Sequence, residues 1–279
     1  MSRIAVVTGA SKGLGRGIAR AIGTEGWTVY VTGRSLTGLE EAVAQIDALG
    51  GKGIAVATDH GDDKQVEALF ARVKAEQGHL DLLVNNAAAV HGQELVREGP
   101  FWDKDLALVD MLSIGLRSNY VAAWHAAPLM IGRADSLIVN ISFYGAVSYF
   151  HGPAYGAAKA GTDKMTYDMG LDFAPTATSV VSFWPGYILT DEVRALPPEY
   201  VMSELKEMLP EFETPEYSGR VILALHADPG KKSLSGQALI GAELATRYGI
   251  TDMGGETRRV WSEQLGRPVA YPHGLEAGA

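Results

Sequence analysis

The sequence predicts a doubly wound α/β domain built on a parallel sheet of about seven strands. Three observations carry this. Short apolar runs alternate with helix-length amphipathic stretches along most of the chain. The runs are continuously apolar rather than alternating, as expected where helices cover both faces of a parallel sheet. A glycine-rich turn follows the first run and opens the first helix. With 279 residues, 47% of them hydrophobic, the chain can bury one large core, and a single domain is expected.

Residues 4–8, Ile-Ala-Val-Val-Thr, read as the first strand and 14–22 as the first helix. Further strands are expected at 27–32, 54–58, 80–84, 136–141, 179–184 and 237–240. Helices are expected at 36–49, ended by Gly50-Gly51, and at 64–76. This order implies right-handed crossovers. Two stretches break the rhythm: 88–105, with Gly99-Pro100, and the acidic, proline-bearing 190–217. Both follow strand C-terminal ends, where ligands bind in open α/β sheets, so both are expected to be substrate loops. The domain is expected to span 1–250. Residues 251–279 would be a C-terminal extension, packed on the surface or at a subunit contact.

Composition removes several function classes. Net charge is -9, and no Lys/Arg block is longer than two, which argues against a nucleic-acid partner. The absence of cysteine excludes disulfides and thiol catalysis and fits a reducing compartment. The 7 histidines are scattered, without a His-Glu-x-x-His pattern, so no metal is expected. A Gly-x-Ser-x-Gly elbow is absent, which disfavours a hydrolase. Residues 1–3 run into a strand-like segment without the pattern of a secretory signal. The longest apolar stretch, 121–131, carries His125 and Pro128 and is too short to span a bilayer. A cytoplasmic protein with no membrane partner is expected.

Thr8-Gly9-Ala10-Ser11-Lys12-Gly13-Leu14-Gly15 lies between the first strand and the first helix. Glycines 9, 13 and 15 allow a tight turn and close approach of backbone to a diphosphate. The helix then offers unpaired N–H groups and a positive dipole end. Ser11, Lys12 and Leu14 complete this candidate cofactor loop, whose spacing is GxxxGxG rather than GxGxxG. An acid at the end of the second strand would suit an adenosine ribose, but the chain reads Thr32-Gly33-Arg34-Ser35 there. Arg34 offers a fork of donors to a 2′-phosphate, and Lys12 adds a second cation, favouring NADP(H) over NAD(H). Asp59 could accept from the adenine amino group or cap the following helix; both readings stand.

Tyr155 and Lys159 are spaced i, i+4 at the start of an expected helix, so they share a face. A neighbouring cation lowers a phenol from its usual value near ~10, which suits Tyr155 to acid/base work. Ser142, at the end of a central strand, could hydrogen-bond the reacting oxygen. Asn85-Asn86-Ala87 follows the fourth strand and can pin the cofactor crevice. Pro185-Gly186-Tyr187-Ile188-Leu189-Thr190 follows the sixth, where backbone and a hydroxyl can hold a carboxamide. All fall at strand C-terminal ends, as the crevice rule requires.

These motifs, in this order, resemble the short-chain dehydrogenase/reductase family. They are Thr8 to Gly15, Asn85-Asn86-Ala87-Ala88, Ser142, Tyr155-x-x-x-Lys159, and Pro185-Gly186 with Thr190. Gly115-Leu-Arg, Pro153-Ala-Tyr155-Gly, Phe183-Trp-Pro-Gly186, Ser235-Gly-Gln and Glu243 to Gly249 look like its dehydrogenase/reductase member 1 branch. The resemblance implies a Rossmann-type sheet and an NADP(H)-dependent oxidoreductase acting on CH–OH groups. It implies that Tyr155 exchanges the proton with the substrate oxygen. Lys159 would bind the nicotinamide ribose and depress the Tyr155 pKa, Ser142 would orient the alkoxide, and Thr190 would contact the carboxamide. It also implies a homodimer or homotetramer assembled through helices at 108–130 and 155–171. Where the family carries a relay asparagine this chain has Gly115; Asn119, one turn later on nearly the same face, could substitute in the relay or simply face a neighbour, and the second is expected.

Aromatic residues crowd these segments: Phe143, Tyr144, Tyr149, Phe150, Trp184 and Tyr187. If several point into the cleft, the substrate is a lipophilic ketone, aldehyde, quinone or steroid. The alternative from another class is an NADPH-binding sensor or scaffold without turnover. The presence of Tyr155 together with Lys159 argues against it.

Overall fold

Ile4–Val7 (β1), Thr28–Gly33 (β2), Lys52–Ala57 (β3), Leu82–Asn85 (β4), Leu137–Ile141 (β5), Ser179–Trp184 (β6) and Ala238–Ile240 (β7) form one sheet. Every pairing is parallel and the order is β3-β2-β1-β4-β5-β6-β7. The computed structural model describes residues 2–89, 91–195 and 207–272. Each expected strand is present, with small shifts at its ends. Part of the second expected substrate loop, 196–206, lies outside the described residues.

The main helices are Gly13–Gly23 (α1), Leu36–Ala48 (α2), Asp63–Gln77 (α3), Ser118–Met130 (α4), Pro153–Asp172 (α5), Pro215–Ala227 (α6) and Gly241–Tyr248 (α7). The pleat divides them between two faces. Ala5 and Val7 of β1 pack with α1, α2, α6 and α7 through Ile18, Leu39, Val221 and Leu244. Ile4 and Val6 pack the other way, with α3, α4 and α5 through Val66, Ala122 and Met169. All residues of β1, β2, β4, β5 and β6 are therefore buried, which is why they read as unbroken apolar runs.

The strand order reverses between β1 and β4, opening a crevice at their C-terminal ends. The turns that frame it are fixed locally. Ser35 caps α2 by accepting from the Gly38 amide, and Asp62 caps α3 by accepting from Lys64. Gly78, at φ 76°, ends α3 in the left-handed conformation.

The expected continuous helix over 108–130 does not exist. A short 3-10 turn, Leu106–Val109, precedes a wide turn at Leu112–Arg117, and only then does α4 begin. The break lies at Ile114 (ψ 97°) and Gly115 (φ 136°). One backbone and one side-chain bond hold it open: the Ala89 amide donates to the Ile114 carbonyl at 2.9 Å, and the Gly115 amide to Ser118 Oγ at 3.0 Å. The bend thus ties the start of α4 to the loop after β4.

Residues 251–272 are woven into the domain rather than laid upon it. Asp252 accepts from the Thr214 amide at 2.8 Å and from Arg258 Nε at 2.7 Å. Buried Trp261 donates its backbone amide to Tyr144 Oη at 3.3 Å and stands edge-on to Tyr187 at 4.9 Å.

Candidate active site

The phosphate-loop side is clamped by Thr8 and Asn86. Thr8 Oγ1 accepts from the Asn86 and Ala87 amides, each at 2.9 Å. Asn86 Nδ2 donates back to the carbonyls of Thr8 (2.9 Å) and Gly9 (3.1 Å). A Cβ on Gly9 would lie 2.8 Å from Ala87 Cα, and one on Gly15 would collide with Asn86 Nδ2. Glycines 9 and 15 are therefore required by this clamp itself, whereas the sequence suggested only approach to a cofactor. Gly13, at φ 57°, has the Thr190 methyl 3.6 Å from where its Cβ would be. The phosphate loop and the loop after β6 thus face each other across the crevice.

The donor set suits an anionic dinucleotide. No side chain caps the N-terminus of α1, and its first turn carries no acid, so its N–H groups are open to a diphosphate. Arg34 is exposed at the end of β2 and makes no ion pair or hydrogen bond among the described residues. Lys12 is different: its ammonium pairs with Glu192 across the crevice. Ser11 lends its carbonyl to Arg16 Nε at 3.0 Å, and Leu14 packs against the core. Asp59 is not the cap of α3, a role taken by Asp62. Its Oδ1 accepts from the Gly61 amide at 2.9 Å. Pro185 and Gly186 are buried at the end of β6, Ile188 pairs with Glu213, and Thr190 Oγ1 accepts from the Val193 amide at 3.2 Å.

On the other side of the crevice, α5 carries Tyr155 and Lys159 one turn apart. The ammonium lies 5.6 Å from the Tyr155 ring centroid and donates to the Ile141 carbonyl at 3.2 Å. A Cβ on Gly145 would collide with Tyr155 Cε1, so that glycine makes room for the phenol ring. His151 stands edge-on to the ring at 5.1 Å. The Tyr155 hydroxyl has no hydrogen-bond partner among the described residues. Burial, then Tyr187, push its pKa above the ordinary phenol value, the reverse of the lowering expected from Lys159. Burial also lowers Lys159 to about 8, while Asp163 opposes that shift.

Ser142, expected to hydrogen-bond the reacting oxygen, directly follows β5. Its hydroxyl is buried and donates to the Lys159 carbonyl at 3.2 Å, and no hydrogen bond joins it to the phenol among the described residues. Phe143, the next residue, packs against Phe150 at 5.0 Å and Tyr187 at 5.8 Å. Asn119 is buried behind the sheet, its carbonyl accepting from Asn85 Nδ2 at 3.3 Å. Of the aromatics singled out in the sequence, Tyr144 and Trp184 are core residues packed edge-to-face, and Tyr149 is 81% exposed. Phe143, Phe150 and Tyr187 form an apolar wall with Phe212 and Trp261. Beside it, residues Phe101, Leu106, Leu108, Val109, Tyr149 and His151 line a groove of about 180 Å³.

Sequence reasoning missed Gly145, Asp163 and Trp261. Only Asp163 left a signal, as the second charge at i+4 along α5 from Lys159.

The profile of the short chain dehydrogenase family matches residues 3–200. This chain belongs to that family. It is 37% identical over 262 residues to the human dehydrogenase/reductase SDR family member 1, covering 91% of this chain and 84% of the human protein. It is 32% identical over 212 residues to a Staphylococcus aureus 3-oxoacyl-(acyl-carrier-protein) reductase, covering 75% and 82% respectively. Among solved structures it is similar to a variant of actinorhodin polyketide ketoreductase with NADPH. There the TM-score is 0.75 and the identity 26%, over 86% of this chain and 95% of that one. The short-chain dehydrogenase has no described helix long and apolar enough to cross a membrane.

Proposed function

We propose that this short-chain dehydrogenase interconverts a carbonyl and an alcohol with NADP(H), on a lipophilic ketone, aldehyde or steroid-like substrate. One observation carries the reading: a phenol without a protein partner stands beside the crevice, with an ammonium one helical turn behind it. A bound dihydronicotinamide would supply the hydride. In reduction, Tyr155 gives its proton to the carbonyl oxygen as the C=O π bond opens. In oxidation it takes the proton back. Its raised pKa in the free protein keeps it protonated at neutral pH, so the proton to be donated is present.

Lys159 sits where a ribose hydroxyl can meet the ammonium, and its charge stabilises the phenolate that proton transfer leaves behind. Ser142 orients the developing alkoxide only by giving up its bond to the Lys159 carbonyl, so its contribution is smaller than that of Tyr155. Arg34 receives the 2′-phosphate, since it is a cation at the end of β2 without a partner among the described residues, while Lys12 must first leave Glu192. Asp59 keeps an oxygen for the adenine amino group, and Ile188 and Thr190 hold the carboxamide. The lipophilic substrate follows from the Phe143, Phe150, Tyr187 wall and the apolar groove beside it.

The test follows NADPH and NADH absorbance separately against a panel of lipophilic and polar carbonyl compounds. Wild type should oxidise NADPH with lipophilic members. Tyr155→Phe should lose at least ~100-fold in kcat, as expected for a proton-transfer group, and Ser142→Ala should lose less. Turnover that survives loss of the phenol overturns the assigned acid. NADPH binding without any turnover returns the protein to the sensor class.

A further inference from the structure

We propose that Asp163 is a positioning residue of this active site, a buried carboxylate whose negative charge keeps the Tyr155–Lys159 pair protonated from below. The inference rests on the catalytic reading just given. Asp163 lies one turn beyond Lys159 on α5 and is 4% exposed. Two donors from β6 meet it. Ser182 Oγ donates to Oδ1 at 2.5 Å, and Trp184 Nε1 donates to both oxygens at 3.1 Å. An indole N–H can only donate, so the oxygens it reaches must accept, as a carboxylate does. Such donors offset part of the cost of burying the charge.

The cation facing this carboxylate is Lys159. Burial raises Asp163 above the ordinary carboxyl value and lowers Lys159, and the charge of each opposes the shift of the other. Among the described residues, the ammonium's hydrogen-bond partner is the Ile141 carbonyl, a neutral acceptor, so Asp163 supplies the charge that balances it. The other groups around the dyad are accounted for. Tyr155 faces His151 and Tyr187, and burial lowers His151 to about 4, leaving it neutral. Tyr271, from the C-terminal segment, is raised by burial and then by Asp163, hence neutral as well. Among the described residues, Asp163 is thus the anion acting on Lys159.

The sign of its effect is fixed. Removing a nearby negative charge makes every neighbouring acid release its proton more readily. Both ionisations of the phenol–ammonium pair therefore move to lower pH in Asp163→Asn, by about 1 unit for a close charge. Asn keeps an acceptor oxygen for Ser182 and Trp184, so the shape of the site is retained.

The experiment reads the pair twice. The first readout is the pH profile of NADPH-dependent reduction. The second needs no turnover: NMR titration of the Lys159 side chain in ¹³C-lysine protein, assigned by Lys159→Arg. Asp163→Asn should move both midpoints to lower pH, with NADPH affinity within about threefold of wild type. Ser182→Ala, which removes one donor and weakens the carboxylate, should move them the same way by less. Should Asp163→Asn fail to fold, Ser182→Ala carries the test. Unmoved Lys159 midpoints in the folded variant overturn the proposal. If the Lys159 midpoint moves but Tyr155→Phe still turns over, the catalytic reading falls and the electrostatic role of Asp163 stands.

Discussion

At the scale of single residues, Arg34 and Lys12 show how alike two cations look in sequence and how differently they stand in space. Lys12 lies in the phosphate loop and Arg34 at the end of β2, and both are candidates for the 2′-phosphate. Lys12 is occupied by Glu192, whereas Arg34 has no partner among the described residues. Hydrogen bonds to charged groups contribute roughly 1.5–3 kcal/mol. Arg34→Ala should therefore raise the KM for NADPH by roughly 10- to 100-fold and leave the KM for NADH little changed. Equal losses with both cofactors would show that Arg34 does not read the 2′-phosphate. Glu192→Gln frees Lys12 and should tighten NADPH if that lysine contributes at all. The Tyr155 and Lys159 pairing was legible because an i, i+4 spacing on one helix is local. The room that Gly145 leaves for the Tyr155 ring was not, because it joins two elements through a missing side chain.

At the scale of elements, the strands were legible and the helix before β5 was not, for one physical reason. A strand covered on both faces must be apolar throughout, so its burial is written in its composition. The bend before α4 is written only in Gly115, and a lone glycine inside an apolar pattern is compatible with an unbroken helix. Its φ of 136° excludes other residues on backbone grounds, yet the space around it is open: a Cβ would approach nothing closer than Ala88 at 3.9 Å. Gly115→Ala should therefore cost backbone strain alone, about 1–3 kcal/mol, with no repacking of the core. In a chain of this size that lowers Tm by roughly 2–4 °C per kcal/mol. A variant as stable as wild type would mean the bend relaxes at no cost. The Ile114 carbonyl would then be free to leave Ala89, and the loop after β4 would shift with it.

For the whole molecule, the decisive long-range feature is the set of ionisable groups that folding buries. His60 is 4% exposed, joined to Thr32 at 2.7 Å, and burial lowers it to about 4 from 6.5. The fold holds it neutral, so its contribution is complete above pH 6.5 and is lost as pH falls from there towards 4. Glu213 has the opposite sign. It is 1% exposed beside Gly186, its carboxyl oxygens have no hydrogen-bond partner among the described residues by geometry, and burial raises it from 4.5 to about 8. The fold binds its proton, so that contribution is complete below pH 4.5 and is lost as pH rises through 8. From pH 4.5 to 6.5 the two effects offset each other; above pH 6.5, where the histidine is already neutral, stability declines towards pH 8 because Glu213 must either ionise in the core or hold its proton against solvent. Over that interval the decline is about 2 kcal/mol, from 1.36 kcal/mol per unit of pKa. Urea unfolding monitored by tryptophan fluorescence should show the midpoint falling between pH 6.5 and 8, and Glu213→Gln should abolish that fall by removing the titration while keeping the shape. A variant that loses stability over this interval as steeply as wild type would place the titrating group elsewhere. The same substitution bears on the site, because Glu213 lies under the Gly186 turn and pairs with Ile188 through the backbone. Ionisation of Glu213 above pH 8 should loosen the loop that faces the phosphate turn, so cofactor affinity should weaken there in wild type and hold in Glu213→Gln.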